Sequence, residues 1–243
     1  ARKKAYWRLL PLLFICYVIA YVDRANVAIA KLTMTTALPG FATDVLGFGA
    51  GVFFWGYFLL EVPGSLIVER GSARKWICRI MLTWGVMAAA TALVKTPMQF
   101  YVVRFMLGLA EAGFFPGIVV FLTHWFPARD RTRALALFFI ATPVAQIISP
   151  KISNALLKIG MTETVNGVTV QHAQVLGMQG WQWVYIFWGI PAVLLGMAVL
   201  LFLKDRPRDA HWLTVEEREA LETQLETDKA AGSKKRMTLL QAL

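Results

Sequence analysis

Apolar residues in this chain come in long, nearly continuous blocks, not at the periods of two or 3.6 that mark half-buried strands and surface helices. Six blocks approach or exceed the roughly 20 residues that a helix needs to cross the hydrocarbon core of a bilayer. They run approximately over Leu9–Leu32, Gly49–Val68, Trp76–Val94, Met98–His124, Ala134–Leu157 and Val184–Leu203. The predicted architecture is an all-α membrane protein, a bundle of six transmembrane helices. Between the fifth and sixth blocks lies a polar stretch, Lys158–Gly180, with Asn166-Gly167 as its turn signal.

After Leu203 the chain becomes charged. Thr214-Val215-Glu216-Glu217 matches a capping box, in which the Thr hydroxyl and the Glu carboxylate satisfy free backbone donors. It predicts a polar helix from about Val215 to Asp228. A basic linker, Gly232 to Arg236, follows, and Met237–Leu243 turns apolar again, like the approach to a seventh span. The expected organisation is a bundle over 1–203 and an inter-bundle linker over 204–243.

Composition agrees with the pattern. Of 243 residues, 57% are hydrophobic and only 16% are charged, against about a quarter in soluble domains. The net charge of +10 does not point to nucleic acid, because the basic residues sit in short loops between apolar blocks. Arg2, Lys3, Lys4 and Arg8 precede the first block. Arg70, Arg74 and Lys75 follow the second, with Arg79 just beyond, and Arg129, Arg131 and Arg133 follow the fourth. The opposite loops carry little more than Lys31, Lys95 and Lys158. The positive-inside rule then puts both termini in the cytoplasm. The expected location is the plasma membrane, the inner membrane in a bacterium. Cys16 and Cys78 lie inside apolar blocks without metal-site spacing, and are expected to be inert thiols. The three histidines, His124, His172 and His211, are scattered, and no HExxH or nucleophile elbow exists. An enzyme, a metal site and a cofactor are therefore not expected.

The chemistry lies in charges inside the spans. An ionisable group there costs several kcal/mol unless it faces a partner or a cavity. Asp23, Arg24, Glu61, Arg104 and Glu111 lie well inside, and Lys151 lies nearer an end, where it can snorkel. At 1.5 Å per residue, Asp23 is roughly 13 Å and Arg104 roughly 10 Å from the same end of the bundle, so the two can meet. Glu111 follows Arg104 by two turns on the same helix face. Asp23 and Arg24 diverge by about 100°. Each group has a structural reading as well: Asp23–Arg104 as an ion pair only, Glu111 as a hydrogen-bond acceptor, Glu61 as an anchor. Concentration on the first and fourth spans favours function, since these occupy equivalent positions in transporters built from three-helix repeats. A carboxylate beside an arginine changes its proton affinity when the arginine moves to a bound anion. Arginine forks onto carboxylates in a bidentate way, so two interior arginines favour an organic anion. Asp23 and Glu111 are the candidates for proton coupling. Arg24 and Arg104, with Tyr21, Tyr57 and Gln146, are the candidates for substrate binding. Gly108, Ala112, Gly113 and Gly117 permit close helix approach, and Pro116, Pro143 and Pro150 mark candidate kinks.

Several motifs resemble the major facilitator superfamily and, within it, the anion:cation symporter family. The stretch from Pro63-Gly64 through Glu69-Arg70-Gly71-Ser72 to Arg74-Lys75 looks like the superfamily's cytoplasmic gate signature, with Glu69 where Asp is usual and Ser72 where Gly is usual. Tyr21-Val22-Asp23-Arg24-Ala25-Asn26, the run Arg104 to Gly113, Gly180-Trp181-Gln182-Trp183 and Asp205-Arg206-Pro207 look like the symporter family. The resemblance implies two three-helix inverted repeats, half of a twelve-helix fold. It implies proton-coupled uptake of an organic anion, such as a sugar acid or another carboxylate, by alternating access. It also implies roles for Asp23 and Glu111 in coupling, for Arg24, Arg104, Tyr21 and Tyr57 in the cavity, and for Gly64, Glu69, Arg70 and Arg74 in the gate. The exchanger signature of the fifth helix is not seen around Ala141–Pro150, which favours symport over exchange. The expected partners are a small organic anion, a proton, the bilayer, and a second six-helix bundle in cis or in trans. A transport-inactive half that senses or assembles, or an anion exchanger, is the alternative.

Overall fold

The computed structural model describes residues 1–165 and 168–241, without the side chains of 70, 163–165, 168–170, 229 and 232–241. Its helices are α1 (Arg2–Ala37), α2 (Thr43–Arg70), α3 (Ala73–Ala90), α4 (Pro97–Glu111), α5 (Phe114–Trp125), α6 (Ala128–Leu157), α7 (Gly180–Phe202) and α8 (Val215–Gln241). With α4 and α5 taken together, six helical segments are long and apolar enough to cross a membrane. All six predicted blocks are helical over most of their length, and most helices overrun them at one end or both. α1 begins seven residues before Leu9 and ends five after Leu32, because a helix continues past the bilayer while hydropathy marks only its apolar part.

Local chemistry sets many helix ends. Ser72 Oγ accepts from Lys75 N (3.1 Å), and Thr96 Oγ1 accepts from Gln99 N (3.3 Å) beside Pro97 in the first turn. The predicted box at α8 forms: Thr214 N donates to Glu217 Oε2 (3.1 Å) and Glu217 N to Thr214 Oγ1 (3.2 Å). Two features differ from expectation. α8 continues as helix through the stretch 232–236, read from sequence as a linker. The fourth span is broken: α4 stops at Glu111, and Gly113 takes φ +80° before α5 begins. Only glycine adopts that conformation without strain. The polar stretch after α6 holds a short antiparallel hairpin, β1 (Thr162–Val165) with β2 (Val168–Gln171), pairing Thr162 with Gln171. The expected turn at Asn166-Gly167 and the side chains of Met237–Leu243 lie outside the described residues.

The bundle closes in pairs. α3 packs most extensively on α7, α2 on α4, and α1 on both α6 and α7. Glycines let the first two pairs approach backbone to backbone. A Cβ at Gly108 would overlap the Phe53 carbonyl of α2, and one at Gly85 would stand 2.8 Å from the Gly189 carbonyl of α7. Large side chains, among them Trp84, Phe100, Phe121 and Tyr185, fill the core.

The segment after α7 lies across the basic end of the bundle, the end that carries Lys4, Arg74 and Arg133. Trp125 Nε1 donates to the Lys204 carbonyl (2.9 Å), and Trp212 stacks on Trp125 at 5.5 Å and 9°. Lys4 Nζ pairs with Glu217 (2.7 Å), and Asp228 accepts from Ala128 N (3.0 Å).

Candidate functional site

Four ionisable groups meet in the middle of the bundle, on α1 and α4. Asp23, Arg104 and Glu111 are almost fully buried, at 2%, 4% and 0% exposure. The 100° between neighbours sends Asp23 and Arg24 apart, as expected. Asp23 turns to α3, where its Oδ2 accepts from the Trp84 indole N–H at 3.0 Å. Arg24 turns to α2 and α4. Its Nη2 lies 2.7 Å from Glu111 Oε1, and its guanidinium sits over the rings of Tyr21 (5.6 Å) and Tyr57 (5.4 Å). The Arg24 side chain keeps 37% exposure, whereas Glu111 keeps none. Arg24 thus has a buried carboxylate behind it and open space in front.

The Asp23–Arg104 contact that their matched depths allow does not form. No ion pair within 4 Å joins them; the Arg104 guanidinium lies instead over the Phe53 ring at 4.9 Å. The two side chains turn to different helices: Asp23 to the indole of Trp84 on α3, and Arg104 to the ring of Phe53 on α2. Arg104 still acts on Asp23 and Glu111 through space. Nε and Nη1 of Arg104 and Oδ1 of Asp23 have no hydrogen-bond partner among the described residues. The break between α4 and α5 follows directly on Glu111. It brings Gly113 within 3.6 Å of Gly64 and within 3.2 Å of the Trp76 indole, both measured from a Cβ built on Gly113.

Tyr21 and Tyr57 join the cluster, but Gln146 does not. It is exposed on α6, one turn past Thr142, which neighbours Tyr21, and has no hydrogen-bond partner among the described residues. Glu61 is half-buried on α2, four residues beyond Tyr57, and Lys151 is exposed on α6.

At the basic end, Gly64 packs against Trp76, and Glu69 is exposed. The Arg70 side chain lies outside the described ones. The acid that Arg74 meets is Asp205, not Glu69. Arg74 N donates to Asp205 Oδ1 (2.9 Å), Arg74 Nε lies 3.8 Å from Oδ2, and Nη1 donates to the carbonyls of Leu200 and Leu203. Ser72, where glycine is usual in the resemblance, donates to Asp205 Oδ2 at 2.6 Å while capping α3. The physical reason is direction: Glu69 ends α2 pointing outward, while the chain after α7 returns to the first turn of α3.

Sequence reasoning missed two participants. A tryptophan buried at mid-span is the signal for Trp84, since its N–H needs an acceptor there. Asn26 is the second. Its Oδ1 accepts from Ser149 (3.4 Å) and Ser153 (3.3 Å) of α6, and Ser153 Oγ accepts from Trp188 Nε1 of α7 (3.0 Å). Ser149 and Ser153, four apart on one face, were the available sign. No group of three metal-binding side chains occurs among the described residues.

The family model described as Major Facilitator Superfamily matches residues 13–240. A putative tartrate transporter of Agrobacterium vitis is 44% identical over 94% of this chain and 48% of its own length. A putative metabolite transport protein, NicT, of Pseudomonas putida is 42% identical over 95% of the chain and 50% of its own. The chain spans about half the length of the curated relatives it matches. A solved structure of the proton:xylose symporter XylE superposes with a TM-score of 0.68 at 16% identity, over 96% of this chain and 52% of that one, and shows the fold alone.

Proposed function

Because the chain belongs to the major facilitator superfamily, we propose that it forms one half of a secondary transporter that takes up an organic carboxylate together with a proton by alternating access. Residues 1–203 supply the bundle, and 204–243 the linker to a second bundle. The basic end faces the cytoplasm, so both termini lie there.

The carrying observation is the position of Arg24, paired to a fully buried Glu111 on one side and open on the other. A carboxylate arriving from the open side competes with Glu111 for the same guanidinium, which prefers bidentate geometry. Tyr21 and Tyr57, whose rings both lie against the Arg24 guanidinium, limit where that anion can sit. Glu111, fully buried and left without its counter-ion, takes a proton, because an unpaired buried charge is costly. Release of the anion returns Arg24 to Glu111 and expels the proton. Asp23, held by Trp84, and Arg104 form the second half of this charge set and balance it while Arg24 is engaged. The tartrate named for two relatives is an organic dianion of the class that two interior arginines suit.

The test is transport in proteoliposomes holding the protein from its complete coding sequence. Organic-anion uptake should follow an inward proton gradient and acidify the lumen. Glu111→Gln should abolish proton-driven accumulation while counterflow of the anion survives. Uptake indifferent to the pH gradient refutes coupling, and equal loss of both activities assigns Glu111 a structural role.

A further inference from the structure

A second concave surface lies far from the charge cluster, between α1, α7 and Trp212 at the basic end of the bundle. It encloses about 830 Å³ and is bordered by Lys4, Arg8, Leu12, Ile15, Phe202 and Trp212. Arg8 stands sixteen residues before Arg24. At about 100° per residue this is roughly 160° round α1 beyond whole turns, so the groove opens on nearly the opposite side of the helix from the candidate site.

The groove is graded along its length. Lys4 and Arg8 stand at its outer end. Leu12 and Ile15 lie about 6 Å and 10 Å deeper, at 1.5 Å per residue, opposite Phe202. Trp7, 75% exposed, and Trp212 flank the charged end, the level at which indoles settle between water and hydrocarbon. Lys4 is engaged by Glu217. Arg8 lies over the Trp212 ring at 5.6 Å and has no ion pair among the described residues. A ring face leaves the edge donors of a guanidinium available to a planar or tetrahedral anion.

We propose that this groove binds an anionic phospholipid of the adjacent leaflet, with the phosphate on Arg8 and an acyl chain along Leu12, Ile15 and Phe202. Charge complementarity selects the occupant: a basic pocket between membrane helices, with an apolar track leading inward, suits an acidic headgroup with its tail. The bound lipid would wedge the Trp212 segment against α1, at the place where the segment after α7 is tied to the bundle. This inference requires that α1 and α7 span the membrane and that the grooved side of α1 meets lipid and not the second bundle, and it stands apart from the proposed transport reaction.

Native mass spectrometry on the protein from its complete coding sequence tests it. In micelles with equal phosphatidylglycerol and phosphatidylcholine, the wild type should retain one phosphatidylglycerol in preference to phosphatidylcholine. Arg8→Gln should weaken that retention about fivefold, from the loss of one basic residue at a membrane surface. Arg8→Lys should keep most of it, and Lys151→Gln, at a site outside the groove, should not change it. Equal retention of the two lipids by the wild type overturns the proposal without recourse to any variant. So does phosphatidylglycerol retention that ignores Arg8→Gln, or displacement of the lipid by millimolar glycerol 3-phosphate, which would mark a site for a free phosphate ester.

Discussion

Replacing Trp84 by Phe removes the one hydrogen-bond donor that Asp23 has among the described residues, at 3.0 Å, and leaves a carboxylate with 2% exposure. A hydrogen bond to a charged group contributes about 1.5–3 kcal/mol net, against about 0.5–1.5 kcal/mol for a neutral one. The smaller ring also loses packing against Phe114, whose centroid lies 6.4 Å from that of Trp84. That packing loss is the same whatever stands at position 23, so a double-mutant cycle removes it. Asp23→Asn keeps an acceptor and deletes the charge. Trp84→Phe is therefore expected to cost about 1 kcal/mol more with Asp at 23 than with Asn, roughly fivefold in the unfolding equilibrium. The measurement is reversible unfolding of the four proteins in mixed micelles. If Trp84→Phe costs the same in both backgrounds to within about 0.3 kcal/mol, the bond is not charge-assisted and the account of Asp23 fails.

Three further outcomes follow from the geometry. Gly108→Ala should destabilise by about 1–3 kcal/mol, as overpacking does, because its Cβ would meet the Phe53 carbonyl and stand 2.9 Å from Tyr57 N, both backbone atoms of α2; an unchanged thermal midpoint would contradict the backbone contact. Asp205→Ala removes the acceptor for Ser72 Oγ and Arg74 N, and amide exchange in the first turn of α3 should quicken; unchanged exchange would make Asp205 a bystander. The Lys4 ammonium, and then the Thr214 backbone N–H, hold the Glu217 carboxyl down at about 2. A depressed carboxyl contributes stability that is complete above its ordinary value near 4.5 and is lost as pH falls toward 2. Spin labels at Lys3→Cys and Ala220→Cys should report one distance at neutral pH and a broadened distribution between pH 4.5 and 2; a distribution constant down to pH 2 would show that another contact holds α8.

Much of the fold was legible in the chain itself. Spans are written locally, because a bilayer forces about 20 consecutive apolar residues into hydrogen-bonded helix wherever they occur. Caps such as Thr214–Glu217 are local as well, since donor and acceptor lie within one turn. The divergence of Asp23 from Arg24 follows from helix phase, and the depths of Asp23, Arg104 and Glu111 follow from helix rise. The members of the charged cluster, and the motifs that resemble a symporter family, are thus readable in the chain alone.

Partners were not. Trp84 is 61 residues from Asp23 in sequence, and nothing in either segment names the other. Asp23 and Arg104, matched in depth, make no ion pair, because one turns to Trp84 of α3 and the other to Phe53 of α2. Arg74 meets Asp205 and not Glu69 because the chain after α7 returns to the start of α3. Gln146 is left outside the cluster by the turn of α6 at which it stands. Depth and direction belong to a single helix, so the sequence alone determined which charges lie in the membrane. Which of them touch depends on how helices distant in the chain pack, and small residues such as Gly56, Gly85 and Gly108 set that by how closely the backbones approach. Only the tertiary structure could decide that Arg24 is the arginine with Glu111 behind it and open space in front.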